Sequence, residues 1–218
     1  MKASPLVLFD LDGTLVDSGP GIRASIRHAA AAVGIPEPTP EQLRALIGPP
    51  FPAAFGDILG VDVATGDAMM AAYRERYGGG AMFDVALYDG IPEALEELTA
   101  RGDVLAVTTS KPVVYAAEIV AHLGLADAFA GGVHGASSDG SVEGKAAVVG
   151  LALARHGDGP VVGLVGDRHH DVEGARAHGL RCLGVSWGFG SREELEAAGA
   201  ADVIDKPAEI PAALASLG

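Results

Sequence analysis

Short apolar runs without polar alternation occur at residues 6–9, 104–108, 161–165 and 182–185, with a weaker run at 202–204. A strand that is apolar at every position has both faces covered, which is the habit of parallel sheets. Between these runs lie segments whose apolar residues recur at helical spacing, at 92–100, 113–123, 145–156 and 171–178. Pro92 and Glu93 suit the first turn of the helix they open, and Gly102 suits the stop after Arg101. Strands alternating with helices of this length predict βαβ units. The expected fold is therefore α/β, a doubly wound, Rossmann-like parallel sheet.

Residues 18–87 break the alternation. Helical patterns run near 21–33, 40–47, 52–59 and 65–77, punctuated by Gly34-Ile35-Pro36-Glu37-Pro38 and Gly48-Pro49-Pro50, with no convincing buried strand. The run Ala29-Ala30-Ala31-Ala32 is a set of good helix formers rather than a repeat. The expected organisation is a core domain of residues 1–17 and 88–218 interrupted by an all-helical cap domain of residues 18–87.

Composition narrows the class. Of 218 residues, 49% are hydrophobic and 20% charged, which is globular rather than disordered material. No apolar run approaches the roughly 18 residues of a membrane span. The opening Met1-Lys2-Ala3-Ser4-Pro5 leads into only a handful of apolar residues before Asp10, too few for a secretory signal, so a cytoplasmic location is expected. The formal charge of −14 argues against a nucleic-acid polymer as partner, since such binders display a basic face. A small phosphorylated molecule remains compatible, provided a few cations or a metal are placed locally. The single cysteine, Cys182, lies in an apolar run and reads as a small buried hydrophobe.

Polar residues cluster where four of the elements meet their loops: Asp10 and Asp12, Thr109 and Ser110, Lys145, and Asp167 with Asp171. In an open α/β sheet ligands bind outside the carboxyl ends of the strands, so this topology gathers groups that are far apart in sequence. Asp10 and Asp12 are two apart at a strand end, where one carboxylate can act as nucleophile while the other handles protons. Asp167 and Asp171 stand at a strand-to-helix junction, near enough to bind a hard cation through oxygen. Backbone N–H groups and hydroxyls at Thr109 and Ser110, with the Lys145 charge, suit phosphate oxygens. His169 and His170, being adjacent on a helix, should point about 100° apart, which disfavours a shared zinc.

These residues resemble the haloacid dehalogenase superfamily of phosphohydrolases. Phe9-Asp10-Leu11-Asp12-Gly13-Thr14-Leu15-Val16-Asp17-Ser18 is similar to the family's first motif, Thr109 to its second, Lys145 to its third, and Gly166-Asp167 with Asp171 to its fourth. The helical insertion resembles the cap of the phosphoglycolate phosphatase-like branch. Thr109-Ser110-Lys111-Pro112, the segment from Gly166 to Asp171, and Gly188-Phe189-Gly190-Ser191-Arg192-Glu193-Glu194-Leu195 resemble a 5′-nucleotidase-like subgroup.

The resemblance implies that Asp10 attacks phosphorus to form an aspartyl-phosphate. Asp12 then protonates the leaving alkoxide and later activates water. Mg²⁺ is implied at Asp10, the backbone carbonyl of Asp12, and Asp167, with Asp171 nearby or bound through water. Gly13, Thr14, Thr109, Ser110 and Lys145 form the implied phosphate-binding set. Arg44 and Arg74, in the insertion, are the candidates for reading the leaving group. The expected activity is hydrolysis of a nucleoside 5′-monophosphate, with phosphoglycolate phosphatase and sugar phosphomutase as alternatives. A dehalogenase is disfavoured by Asp12. A non-catalytic phosphoacceptor such as a response-regulator receiver is disfavoured by the size of the insertion.

Overall fold

The computed structural model describes residues 4–49, 51–137 and 139–217; Met1 to Ala3, Pro50, Ser138 and Gly218 lie outside the described residues. In chain order the elements are β1 (Leu6–Phe9), β2 (Val16–Asp17), α1 (Gly19–Ala32), α2 (Pro40–Ala45), α3 (Ala53–Leu59), α4 (Val63–Gly78), β3 (Ala86–Leu87), α5 (Ile91–Ala100), β4 (Val104–Pro112), α6 (Val113–His122), β5 (Val133–Ala136), α7 (Lys145–His156), β6 (Val161–Gly166), α8 (His169–Arg176), β7 (Cys182–Val185), α9 (Arg192–Ala198), β8 (Asp202–Ile204) and α10 (Ile210–Leu217). They divide into two compact units, one of Met1–Asp17 and Leu87–Gly218, the other of Ser18–Ala86.

The first unit is built on a six-stranded sheet in the order β5-β4-β1-β6-β7-β8, with every neighbouring pair parallel. All four residues of β1 are buried, which is why its sequence shows no alternation. Leu6 and Leu8 pack with Val149 and Ala152 of α7, Val172 and Ala175 of α8, and Leu195 of α9. α5 and α10 pack on each other and against β4 and β6 respectively. Cys182 belongs to the same buried cluster as Leu6. Burial pushes its thiol well above the ordinary range, as expected for a packed sulfur rather than a nucleophile.

Register places the chemistry. Phe9 is paired with Val107 of β4 on one side and Val165 of β6 on the other. The residues that follow these three positions therefore emerge at one edge of the sheet. The strand order also reverses direction about β1, so this edge is a topological switch point.

Several boundaries differ from the sequence reading. β4 continues to Pro112 because Thr109 still pairs with Gly135 of β5 before the register slips. β5 has no signature of its own in the sequence, since Val-His-Gly-Ala offers no apolar run. α8 begins two residues earlier than its apolar pattern, because the Asp171 carboxylate accepts the Arg168 N–H at 3.0 Å and closes the first turn.

The second unit is helical. α1 packs on α4 through side chains at helical spacing: Ile22, Ile26 and Ala29 on the former, and Met69, Tyr73 and Tyr77 on the latter. α4 starts at Asp62, whose carboxylate accepts the Thr65 N–H at 2.8 Å. α2 is preceded by Thr39, which forms a reciprocal cap with Gln42. Phe51 stacks on Phe55 and meets Tyr73 edge-on, and Tyr73 stacks on Tyr77, with ring centroids 4.4 to 5.3 Å apart. Among the described residues no helix is long and apolar enough to cross a membrane.

Candidate active site

β1 ends at Phe9 and delivers Asp10, a buried carboxylate only 7% exposed. The chain then turns on Gly13, which takes φ +85°, a conformation that favours glycine. A side chain at Gly13 would also land on the Asp167 carboxylate, so the approach of these two loops requires a residue without Cβ. The turn is closed by the Gly13 N–H donating to Val16 O at 2.8 Å.

Lys145, the first residue of α7, is buried and reaches three partners. Its Nζ lies 2.5 Å from Asp10 Oδ1 and 2.7 Å from Asp171 Oδ1, and donates to Thr108 O at 2.8 Å. It thereby ties together the end of β1, the middle of β4 and the start of α8. Close passage of α8 is allowed by Gly174, where a Cβ would collide with the Lys145 stem. Gly174→Ala is therefore expected to displace Lys145 and to cost about 1–3 kcal/mol of stability through overpacking. A thermal melt beside an activity assay checks both effects.

Asp167 follows β6 and is fully buried. Its Oδ2 accepts the Phe189 N–H at 2.7 Å, and the Thr14 hydroxyl lies 3.4 Å from its Oδ1. The loop carrying Phe189 is anchored next door, where Trp187 Nε1 donates to Thr14 O at 3.1 Å. Asp10, Asp167 and Asp171 each bring a carboxylate oxygen within 4.8 Å of the others. One buried lysine cannot balance three such charges. Burial raises the Asp10 carboxyl most; Lys145 opposes this, the charges of Asp171 and Asp12 add to it, and the result is about 7. Burial, then Asp171 and Asp10, push Asp167 well above the carboxylate range against the Phe189 N–H. For Lys145 burial disfavours the ammonium, but Asp10 and Asp171 overturn that and hold it above its ordinary value. An excess of buried negative charge on oxygen donors is what a hard divalent cation relieves, so the donor set fits one.

The remaining sequence candidates fall in distinct places. Thr109 is buried in β4, with its Oγ1 accepting the Lys111 N–H at 3.2 Å, while Ser110 is exposed. Asp12 projects beside Asp10 but pairs with Lys111, whose Nζ is 3.0 Å from Asp12 Oδ2. Arg44 and Arg74 are exposed on α2 and α4 of the helical unit. The Thr14 hydroxyl faces Asp167.

These features match known proteins. Residues 7–185 match the model of the haloacid dehalogenase-like hydrolases. The chain belongs to this family. The hydrolase is 41% identical over 194 residues to a 5′-nucleotidase of Pseudomonas aeruginosa, covering 88% of this chain and 87% of that one. It is 39% identical over 206 residues to the tyrosine-protein kinase PtkA of Mycobacterium tuberculosis, covering 94% of this chain and 67% of the other. A predicted phosphatase from Clostridium acetobutylicum superposes with a TM-score of 0.90 at 34% identity, over 99% of this chain and all of that one. The family and its named phosphatase relatives make this chain a hydrolase of phosphoric monoesters.

Two features of the hydrolase lay beyond the sequence reading. Glu194 accepts from Arg168 Nε at 2.9 Å and from the His169 N–H at 3.0 Å, and its Oε1 is 2.6 Å from His169 Nδ1. Burial alone raises this carboxyl, yet these hydrogen bonds hold it at about 2. Glu194 thus clamps the segment between Asp167 and Asp171 in place. Its motif, Ser191 to Leu195, was visible as a resemblance but without a partner. The clamp also corrects the expectation for the histidines: the His169 and His170 rings lie together, centroids 3.8 Å apart, rather than diverging.

Proposed function

We propose that this hydrolase is a Mg²⁺-dependent phosphatase acting on nucleoside 5′-monophosphates through an aspartyl-phosphate. The observation that carries the mechanism is Asp10, buried at the sheet edge 2.5 Å from the Lys145 ammonium and within reach of Asp167 and Asp171. The relative named 5′-nucleotidase supports the substrate. A cytoplasmic location accords with the substrate class.

In this reading an Asp10 oxygen bonds to phosphorus while the bond to the ester oxygen breaks. The electron pair stays on that oxygen, which takes the proton of Asp12. Water then attacks phosphorus, gives its proton to Asp12, and the Asp10–phosphorus bond breaks to release phosphate and regenerate the carboxylate. Lys145 orients Asp10 and neutralises charge on the transferring oxygens, and Thr109 with the neighbouring N–H groups holds them. Asp10, Asp167 and the backbone carbonyl of Asp12 would hold Mg²⁺. Asp171 is the outer carboxylate, since Lys145 and the Arg168 N–H already engage its two oxygens. When bound, the ion supplies positive charge that lets a phosphate dianion approach these carboxylates.

A panel of nucleoside monophosphates, phosphoglycolate, pyrophosphate, sugar phosphates and p-nitrophenyl phosphate tests the substrate. Nucleotides should give the highest kcat/KM; a preference for phosphoglycolate or for a sugar phosphate would overturn the assignment. We assign leaving-group selection to the helical unit, so Arg44→Ala or Arg74→Ala should change the ranking among esters by about ten- to a hundred-fold where a charge-assisted contact is lost. A uniform loss across the panel would contradict this role. The PtkA relative favours a second acceptor, a tyrosine hydroxyl in place of water. Transfer of label from ATP to a tyrosine-containing protein distinguishes it.

A further inference from the structure

Lys111 takes no part in the mechanism above, yet it is as buried as the residues that do. It sits in β4 two positions beyond Thr109, with its side chain 7% exposed, and its Nζ is 3.0 Å from Asp12 Oδ2. The other oxygen of Asp12, Oδ1, is buried and has no hydrogen-bond partner among the described residues. A buried polar atom without a partner is uncommon and marks a position that something else completes. Asp12 is thus pinned at one oxygen and open at the other.

We propose that Lys111 is a positioning residue for Asp12. By holding Oδ2 it leaves Oδ1 as the oxygen that presents the proton to the leaving group. The inference rests on the reading of Asp12 as proton donor. The electrostatics point the same way. As the proton moves from Oδ1 to the ester oxygen, and the phosphorus–oxygen bond breaks, a carboxylate develops 3.0 Å from a fixed positive charge. That fixed charge stabilises the carboxylate which the departing proton leaves behind. At this degree of burial solvent screens it little.

A residue that acts through a proton donor matters only as much as the leaving group needs the proton. An alkoxide is a poor leaving group and needs it; p-nitrophenolate scarcely does. Lys111→Met keeps the apolar stem and removes the charge. The measurement is kcat/KM, which reports the steps up to leaving-group departure, with p-nitrophenyl phosphate and with the best alkyl ester of the panel. The ratio of the first to the second should rise by about tenfold or more in the variant, a share of the 10²–10⁴ that general acids supply. If both substrates lose the same factor, Lys111 is a structural or general binding residue and the proposal falls. Asp12→Asn in the same assay separates the two levels. Should it leave the ratio unchanged, the donor reading of Asp12 fails and takes this inference with it. If it raises the ratio while Lys111→Met does not, only the inference about Lys111 fails. Where the methionine variant melts below the assay temperature, Lys111→Gln answers to the same outcomes.

Discussion

Asp10→Asn should lower turnover by several orders of magnitude while the fold persists. The amide keeps the shape of the carboxylate but removes the attacking oxyanion and one charge of the buried cluster. Loss of a catalytic nucleophile elsewhere costs on the order of a million-fold, so residual activity above about a hundredth of the parent would sink the nucleophile assignment. The same substitution relieves repulsion in the cluster, where the charge of Asp171 raises both Asp10 and Asp167 and that of Asp10 raises Asp167. The melting temperature should therefore stay near the parent value or rise. A variant that is inactive because it has unfolded would show the reverse.

Removal of divalent ions should be almost as severe. EDTA is expected to silence the enzyme and Mg²⁺ to restore it, with Ca²⁺ a poor substitute because its larger, looser shell holds the reacting groups less closely. A readout independent of turnover follows from the buried carboxyls. Asp10 is raised to about 7 in the folded chain, against the ordinary 3.8. Between about pH 4 and 7 the folded state therefore binds more protons at this group than the unfolded state does. By linkage this contribution makes the metal-free protein less stable as pH rises through that window, and most of the loss is present above it. A bound cation that needs the deprotonated carboxylates reverses the penalty. The Mg²⁺-induced rise in melting temperature should accordingly be larger at pH 7.5 than at pH 5.5. An equal shift at both pH values, or full activity in EDTA, would contradict an oxygen-ligand site at Asp10 and Asp167.

Much of the core was legible because each strand buries both faces. Leu6 to Phe9 and Cys182 to Val185 need no partner to be recognised, since only a covered strand tolerates such a run. β5 was not, because its identity depends on pairing with β4 rather than on its own composition. The convergence of Asp10, Lys145, Asp167 and Asp171 could be expected from topology, as each stands at the end or the start of an element. What topology does not convey is which oxygen meets which nitrogen. The three contacts of Lys145, the pairing of Lys111 with Asp12, and the Glu194 clamp all depend on side-chain reach across loops separated by tens of residues. Lys111 lay within a motif of recognised resemblance and yet carried no assigned role, because a lysine in a strand gives no sign of the carboxylate it faces.

The central claim is that Asp10 carries the phosphoryl group during turnover. Acid quench during steady-state hydrolysis, followed by borohydride reduction and tandem mass spectrometry, reads it directly, since an acyl phosphate at an aspartate is reduced to homoserine. The account predicts homoserine at position 10, dependent on substrate and on Mg²⁺, and absent in Asp10→Asn. Phosphate recovered on another side chain, or vigorous turnover with residue 10 never reduced, would contradict it.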